Sequence, residues 1–258
     1  MKRLLTIQDL SCVGKCSLSV ALPIISAAGV EAVALPTALL SIHTAFPMPY
    51  VQSLEEALEP IAKHWSENHV RFDCICTGYL ASKEQINTVL NIAERFKTGT
   101  ALLIADPVMA DNGRLYSRFD SSYVDAMKGY VSHADIILPN LTEASLLADY
   151  EYIEHMPLET AVRILEKLAE NGKTAIITGF NFDAKTTGVI GLNGSTGGFF
   201  EYRTALLPNK YHGTGDIFAS TFSAAIALGA SAPDASRIAC EFTSECIKKT
   251  PSDLADKR

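Results

Sequence analysis

Ala101-Leu102-Leu103-Ile104-Ala105-Asp106-Pro107 is an unbroken apolar run that stops at a carboxylate and a proline. A strand with one face in water alternates apolar and polar residues; an unalternated run marks a strand covered on both faces, as in a parallel sheet. The same pattern recurs at 4–9, 72–77, 134–138 and 174–178, closing on Gln8-Asp9, Thr77-Gly78-Tyr79, Pro139-Asn140 and Thr178, and a further strand is read over 31–37. Between these runs, apolar residues return at helical spacing over 16–28, 54–69, 82–97, 121–130 and 158–170, with Gly29 closing the first and Ser82 capping the third. A helix also starts near Leu141, and two more flank Ala232-Pro233. Strands alternating with helices predict an α/β fold with a central, mostly parallel sheet flanked by helices on both faces, in one domain over 1–258. Residues 187–205 read instead as β-hairpins turning at Asn193-Gly194 and Gly197-Gly198, and the loop carrying Pro47 and Pro49 as irregular.

With 48% hydrophobic and 20% charged residues, the 258-residue chain is that of a soluble globular protein. A formal net charge of −7 argues against a nucleic-acid or membrane partner. The six cysteines lack the paired C-x-x-C spacing of a zinc site and read as reduced thiols of a cytoplasmic protein. Leu4-Leu5-Thr6-Ile7 is too short for a secretory leader, and the apolar stretch 18–40 is broken by Pro23, Gly29, Glu31 and Pro36, so no membrane span is expected.

In an open parallel sheet, ligands bind beyond the carboxyl ends of the strands. Asp9, Thr77, Asp106, Asn140 and Thr178 are therefore expected to line one crevice. Gly213-Thr214-Gly215-Asp216 joins them: its glycines can expose backbone N–H groups, and Ile217, Phe218, Phe222, Ala225 and Ile226 continue it as a helix. Asp216 either accepts a proton from a hydroxyl aimed at a bound phosphate or merely caps that helix. Asn140 and Glu143 offer hard oxygen ligands suited to Mg²⁺, or else a capping interaction, with Thr142 the expected cap. Val13-Gly14-Lys15-Cys16-Ser17 has the Gly-Lys of a P-loop, but Asp9 and Cys16 stand where that motif needs Gly and Ser or Thr. That reading is rejected. The six histidines show no ligand spacing, and His212, beside the glycine turn, is the one singled out for testing.

Asp106-Pro107-Val108-Met109-Ala110-Asp111-Asn112-Gly113 with Tyr116 resembles the DPV-x-G-D-x-G segment of pyridoxal kinases. Pro139-Asn140-Leu141-Thr142-Glu143-Ala144 resembles their P-N-x-x-E-A segment, and Gly213-Thr214-Gly215-Asp216 their G-T-G-D turn. Ile7-Gln8, Ser41-Ile42-His43-Thr44 and Thr77-Gly78-Tyr79 match in the same order, so the chain is identified as a member of the ribokinase-like superfamily in its vitamin B6 kinase branch. The resemblance implies ATP-dependent phosphorylation of the hydroxymethyl group of a B6 vitamer, with Mg²⁺ and K⁺ as ions and a homodimeric assembly. It implies Asp216 as general base, and the N–H groups of Gly213, Thr214 and Gly215 as the anion hole. It further implies Asp106, Asn140 and Glu143 around Mg²⁺ and the phosphates, Asp111 and Tyr116 on a loop over the nucleotide, and Thr178 and His212 nearby. Thr44 and Tyr79 match substrate-pocket positions, and Asp9 or Ser11 would meet the polar edge of the ring. The sequence departs from the pattern at Ala110, usually Gly; at Leu138, often Thr; at Asp9, often Ser; at Tyr211-His212, where some relatives carry Cys; and in a shorter C-terminus. Hydroxymethylpyrimidine kinase is the near rival, sharing the fold and the chemistry. A sugar kinase lacks support without an N-terminal Gly-Gly segment, and a non-catalytic binder would have no use for Asp216.

Overall fold

The computed structural model describes residues 1–44 and 46–252. The chain opens with β1 (Arg3–Ser11), α1 (Leu18–Ala27), β2 (Glu31–Leu40), β3 (Val51–Ser53), α2 (Glu55–Glu67), β4 (Cys74–Thr77) and α3 (Lys83–Phe96). It continues through β5 (Leu102–Ala105), the small hairpin β6 (Ala110–Asp111) and β7 (Arg114–Leu115), α4 (Ser121–Ser132), β8 (Ile136–Ile137) and α5 (Leu141–Ala148). It ends with α6 (Leu158–Leu168), β9 (Thr174–Asn181), β10 (Thr186–Asn193), β11 (Gly198–Ala205), α7 (Thr214–Ala227) and α8 (Ala232–Lys249).

Among the described residues, nine strands form one sheet in the order β11-β10-β9-β8-β5-β4-β1-β2-β3. The centre from β9 to β2 is parallel; at the edges β3 pairs antiparallel with β2, β10 with β9 and β11 with β10. Consecutive side chains of the central strands enter opposite cores: Leu5, Ile7, Ile75, Leu103 and Ile137 on one face, Leu4, Cys74, Cys76, Ile104 and Ile136 on the other. The first core is closed by α2 to α6 and the second by α1, α7 and α8. Cover on both faces is why these strands carry no polar alternation.

Several local expectations are corrected. Helix α1 starts at Leu18 instead of residue 16, because Ser17 takes φ 50° and ψ −133°, outside helical space. The loop after β2 contains the short edge strand β3, which three pairs with Ala38, Leu39 and Leu40 create. Asn193-Gly194 and Gly197-Gly198 belong to a single turn between β10 and β11, and β9 runs on to Asn181 because β10 pairs along it. Asn140, not Thr142, caps α5. The Thr142 hydroxyl instead accepts the Gly113 N–H at 2.9 Å, tying the β6–β7 hairpin to the helix.

Candidate active site

The parallel register brings the carboxyl ends of β1, β4, β5, β8 and β9 to one edge of the sheet, and with them Asp9, Tyr79, Asp106, Asn140 and Thr178. Helix α7 starts beside them. Gly213 is its N-terminal cap at φ 79°, a left-handed conformation cheap only for glycine. A Cβ there would also collide with the carbonyl oxygen of Lys15. The chain before α1 is thus packed directly onto the glycine turn.

No side chain caps α7, so Asp216 is not spent on the helix. Its carboxyl, half-buried, is pushed up to about 6 by burial, a rise opposed by the Ser17 backbone N–H and reinforced by the negative charge of Asp9. Asp9 itself is buried and accepts the Ser17 hydroxyl at 2.6 Å and the Ser11 hydroxyl at 3.2 Å. Burial raises its pKa and these two donors hold it down. Asp106 is held well above the carboxylate range by burial and by the charges of Glu143 and Asp216.

Asn140 and Glu143 form a reciprocal capping box. The Asn140 side-chain oxygen accepts the Glu143 N–H at 3.0 Å, and Glu143 Oε2 accepts the Asn140 N–H at 2.9 Å. Glu143 Oε1 takes the Met109 N–H at 3.0 Å, and Asn140 Nδ2 donates to the Ala110 carbonyl at 2.8 Å. Ala110, in the place of the usual glycine, is a fully buried anchor of this network. Burial raises Glu143 to about 7 against three backbone donors. Both side chains therefore work within the fold, and sequence reasoning left this use and metal ligation open.

Four carboxylates with elevated proton affinity facing one space form an excess of negative charge. Their oxygens suit a hard divalent cation. Among the described residues, no group of three His, Cys, Asp or Glu side chains is arranged to hold a metal. The donors fit an ion that keeps its waters, as Mg²⁺ does, better than a closed protein cage.

The remaining predicted residues are distributed around this centre. Asp111 caps its own hairpin, accepting the Asn112 N–H at 2.8 Å, and Tyr116 follows, exposed, with its N–H on the Met109 carbonyl. Thr178 sits in register with Asn140, its hydroxyl turned toward the Pro139 carbonyl at 3.4 Å. Thr77 is not in the crevice: its buried hydroxyl accepts the Tyr130 hydroxyl at 3.0 Å inside the core. Thr44 lies exposed on the loop between β2 and β3, next to His43, whose ring packs 4.7 Å from that of His212. Tyr79 packs 5.7 Å from Phe119, and Arg118 hydrogen-bonds its hydroxyl. Ser17, Arg118 and Phe119 were missed from sequence. Ser17 had a visible signal, since it ends the Gly14-Lys15-Cys16-Ser17 run set aside as a failed P-loop.

The sequence profile of the phosphomethylpyrimidine kinase family matches residues 22–255. A Bacteroides thetaiotaomicron protein designated a phosphomethylpyrimidine kinase, in a crystal form with pyridoxal, is 34% identical; the match covers 98% of this chain and 91% of that one, with a TM-score of 0.92. Pyridoxal kinase from Lactobacillus plantarum is 33% identical over 99% of this chain and 92% of its own, at a TM-score of 0.89. Pyridoxal kinase from Leishmania donovani, in complex with ADP and pyridoxamine, is 26% identical over 96% of this chain and 86% of its own, at a TM-score of 0.84.

Proposed function

The chain belongs to the phosphomethylpyrimidine kinase family, and from that premise we propose that it is an ATP-dependent pyridoxal kinase. It transfers the γ-phosphoryl group of ATP to the 5′-hydroxymethyl oxygen of pyridoxal, pyridoxine or pyridoxamine. The observation that carries this reading is the pyridoxal-bearing relative, which shares the fold over nearly the whole chain at 34% identity. The ADP complex of a more distant relative supports ATP as the phosphoryl donor.

The local chemistry supports specific roles. Asp216, with its pKa lifted to about 6, is ionised at neutral pH yet more basic than an ordinary carboxylate. It takes the proton of the substrate hydroxyl as that oxygen bonds to the γ-phosphorus and the bond to the β–γ bridging oxygen breaks, releasing ADP. The N–H groups of Gly213, Thr214 and Gly215 at the head of α7 face the charge that develops on the transferred group. Asp106, with Asn140 and Glu143 acting through water, would hold Mg²⁺, which would supply positive charge to the phosphates; K⁺ would add to it. Asp111, Tyr116, Thr178 and His212 border the nucleotide side. Tyr79 and Thr44 flank the ring, and Asp9 with Ser11 meets its polar edge.

The six free thiols fit a reducing cytoplasm, and no described helix is long and apolar enough to cross a membrane. In a homodimer, the exposed Phe46, Met48 and Tyr50 beside edge strand β3 would be covered by the second copy. Hydroxymethylpyrimidine phosphorylation is the second reading, favoured by the family's own description. A coupled ADP-release assay across pyridoxal, pyridoxamine, pyridoxine and hydroxymethylpyrimidine tests both. Turnover of the pyrimidine alone would replace the first reading with the second, and turnover of none would remove both.

A further inference from the structure

Helix α1 opens on a serine that does not cap it. Ser82, Asp120, Asn140 and Ser231 stand with extended backbone before α3, α4, α5 and α8, and each side chain accepts the backbone N–H three residues on. Ser17 holds the same position before α1 with φ 50° and ψ −133°, and its side chain makes no such bond. Its carbonyl accepts the Val20 and Ala21 N–H groups of the helix, while its hydroxyl and its N–H turn toward two aspartates. The hydroxyl donates to Asp9 Oδ1 at 2.6 Å, and the backbone N–H lies near enough to the Asp216 carboxylate to oppose the rise in its pKa. The loop that carries it is pinned in place, since the Lys15 carbonyl and the Cys16 Cα pack against Gly213.

Glycine would adopt this backbone freely, whereas serine adopts it against its own preference. What serine adds is the hydroxyl. Its bond to Asp9 is buried and charge-assisted, the strong kind of hydrogen bond. Asp9 and Asp216 are like charges that raise each other's cost of ionisation, so a donor placed between them offsets part of the repulsion.

We propose that Ser17 is a positioning residue of the kinase: by a left-handed backbone it places its hydroxyl on Asp9 beside Asp216, fixing the ring-edge carboxylate relative to the base. This rests on the roles given above to those two aspartates. The groups facing Asp9 are Ser11, Ser17, Cys16, Tyr79 and Asp216.

Two variants remove the hydroxyl donor and leave the backbone N–H in place. Ser17→Gly keeps the N–H and the backbone conformation and deletes the hydroxyl; Ser17→Ala deletes the hydroxyl and keeps a Cβ. In both, KM for pyridoxal should rise about 10-fold or more, the cost of losing a hydrogen bond to a charged group, while KM for ATP stays within about twofold and kcat falls less. The acid limb of kcat/KM for pyridoxal should move to higher pH, because Asp9 loses the stronger of the donors that hold its pKa down. Ser17→Gly should fold at least as stably as the wild type, so it decides the matter if the alanine variant does not fold. An unchanged pyridoxal KM and pH profile in folded Ser17→Gly would overturn the proposal and leave Ser17 a structural residue. Failure of the kinase reading would show separately, as a wild type that does not phosphorylate pyridoxal. If hydroxymethylpyrimidine is turned over instead, the same comparison is run with it.

Discussion

Replacing Asp216 by Asn should abolish turnover and at the same time stabilise the protein. Lifting the carboxyl from its ordinary 3.8 to about 6 means that the native state binds the proton more tightly than the unfolded chain. The ionised form therefore costs folding free energy, at most about 3 kcal/mol at about 1.36 kcal/mol per pKa unit. The sign fixes the pH window: the cost is absent below pH 3.8, grows as pH rises, and is complete above about 6. Asn keeps the size without the charge. The variant should melt up to about 10 °C higher at pH 8, with little difference at pH 4. Its kcat should drop on the order of 10²–10⁴-fold, because an amide cannot take the proton of the attacking hydroxyl. In the wild type, kcat/KM should fall as pH drops through about 6. Calorimetry at two pH values, ATP titration and a coupled assay on one preparation give all the readouts. Near-normal turnover, or a variant less stable at pH 8, would refute the reasoning.

Glu143→Gln should lower stability by about 1–3 kcal/mol, because an amide NH₂ would meet one of the backbone donors its carboxylate now accepts. A raised Mg²⁺ half-saturation in the remaining folded enzyme would support the metal role, and an unchanged one would confine Glu143 to the capping box. Tyr79→Ala should weaken pyridoxal binding by about 1 kcal/mol or more while ATP binding holds, since the ring packed beside Phe119 is lost. Equal losses in both titrations would sink the stacking role. Gly213→Ala should cost both activity and several degrees of thermal stability, because its Cβ meets the Lys15 carbonyl and its φ is 79°. Wild-type melting would contradict that packing.

The parallel centre of the sheet was legible because strands such as 102–105 are buried on both faces and announce it by composition. The glycine turn was legible because its helix carries a local apolar repeat. What escaped depended on partners distant in sequence. Three residues of β3 carry no signal of their own and exist through pairing with β2. Thr77 looked like Thr178, yet a tyrosine from α4 claims its hydroxyl. The choice of Asn140 over Thr142 as cap turned on whether one of them kept an extended backbone, which neighbouring residues do not announce. Ser17 escaped for the same reason. The loop that carries it packs, through Lys15 and Cys16, against the turn at Gly213, far along the chain.

That last contact has a bearing on when the protein becomes competent. Asp9 and Ser17 are made near the start of synthesis, and Asp216, which they face, emerges only after every strand has been translated. Long-range contacts of this sort form late, because the intervening chain must be ordered before its ends can meet. A nascent or truncated chain stopping short of Gly213 lacks α7 and α8, two of the three helices that close one face of the sheet, and Asp216 with them, so cover of that face and completion of the site arrive together.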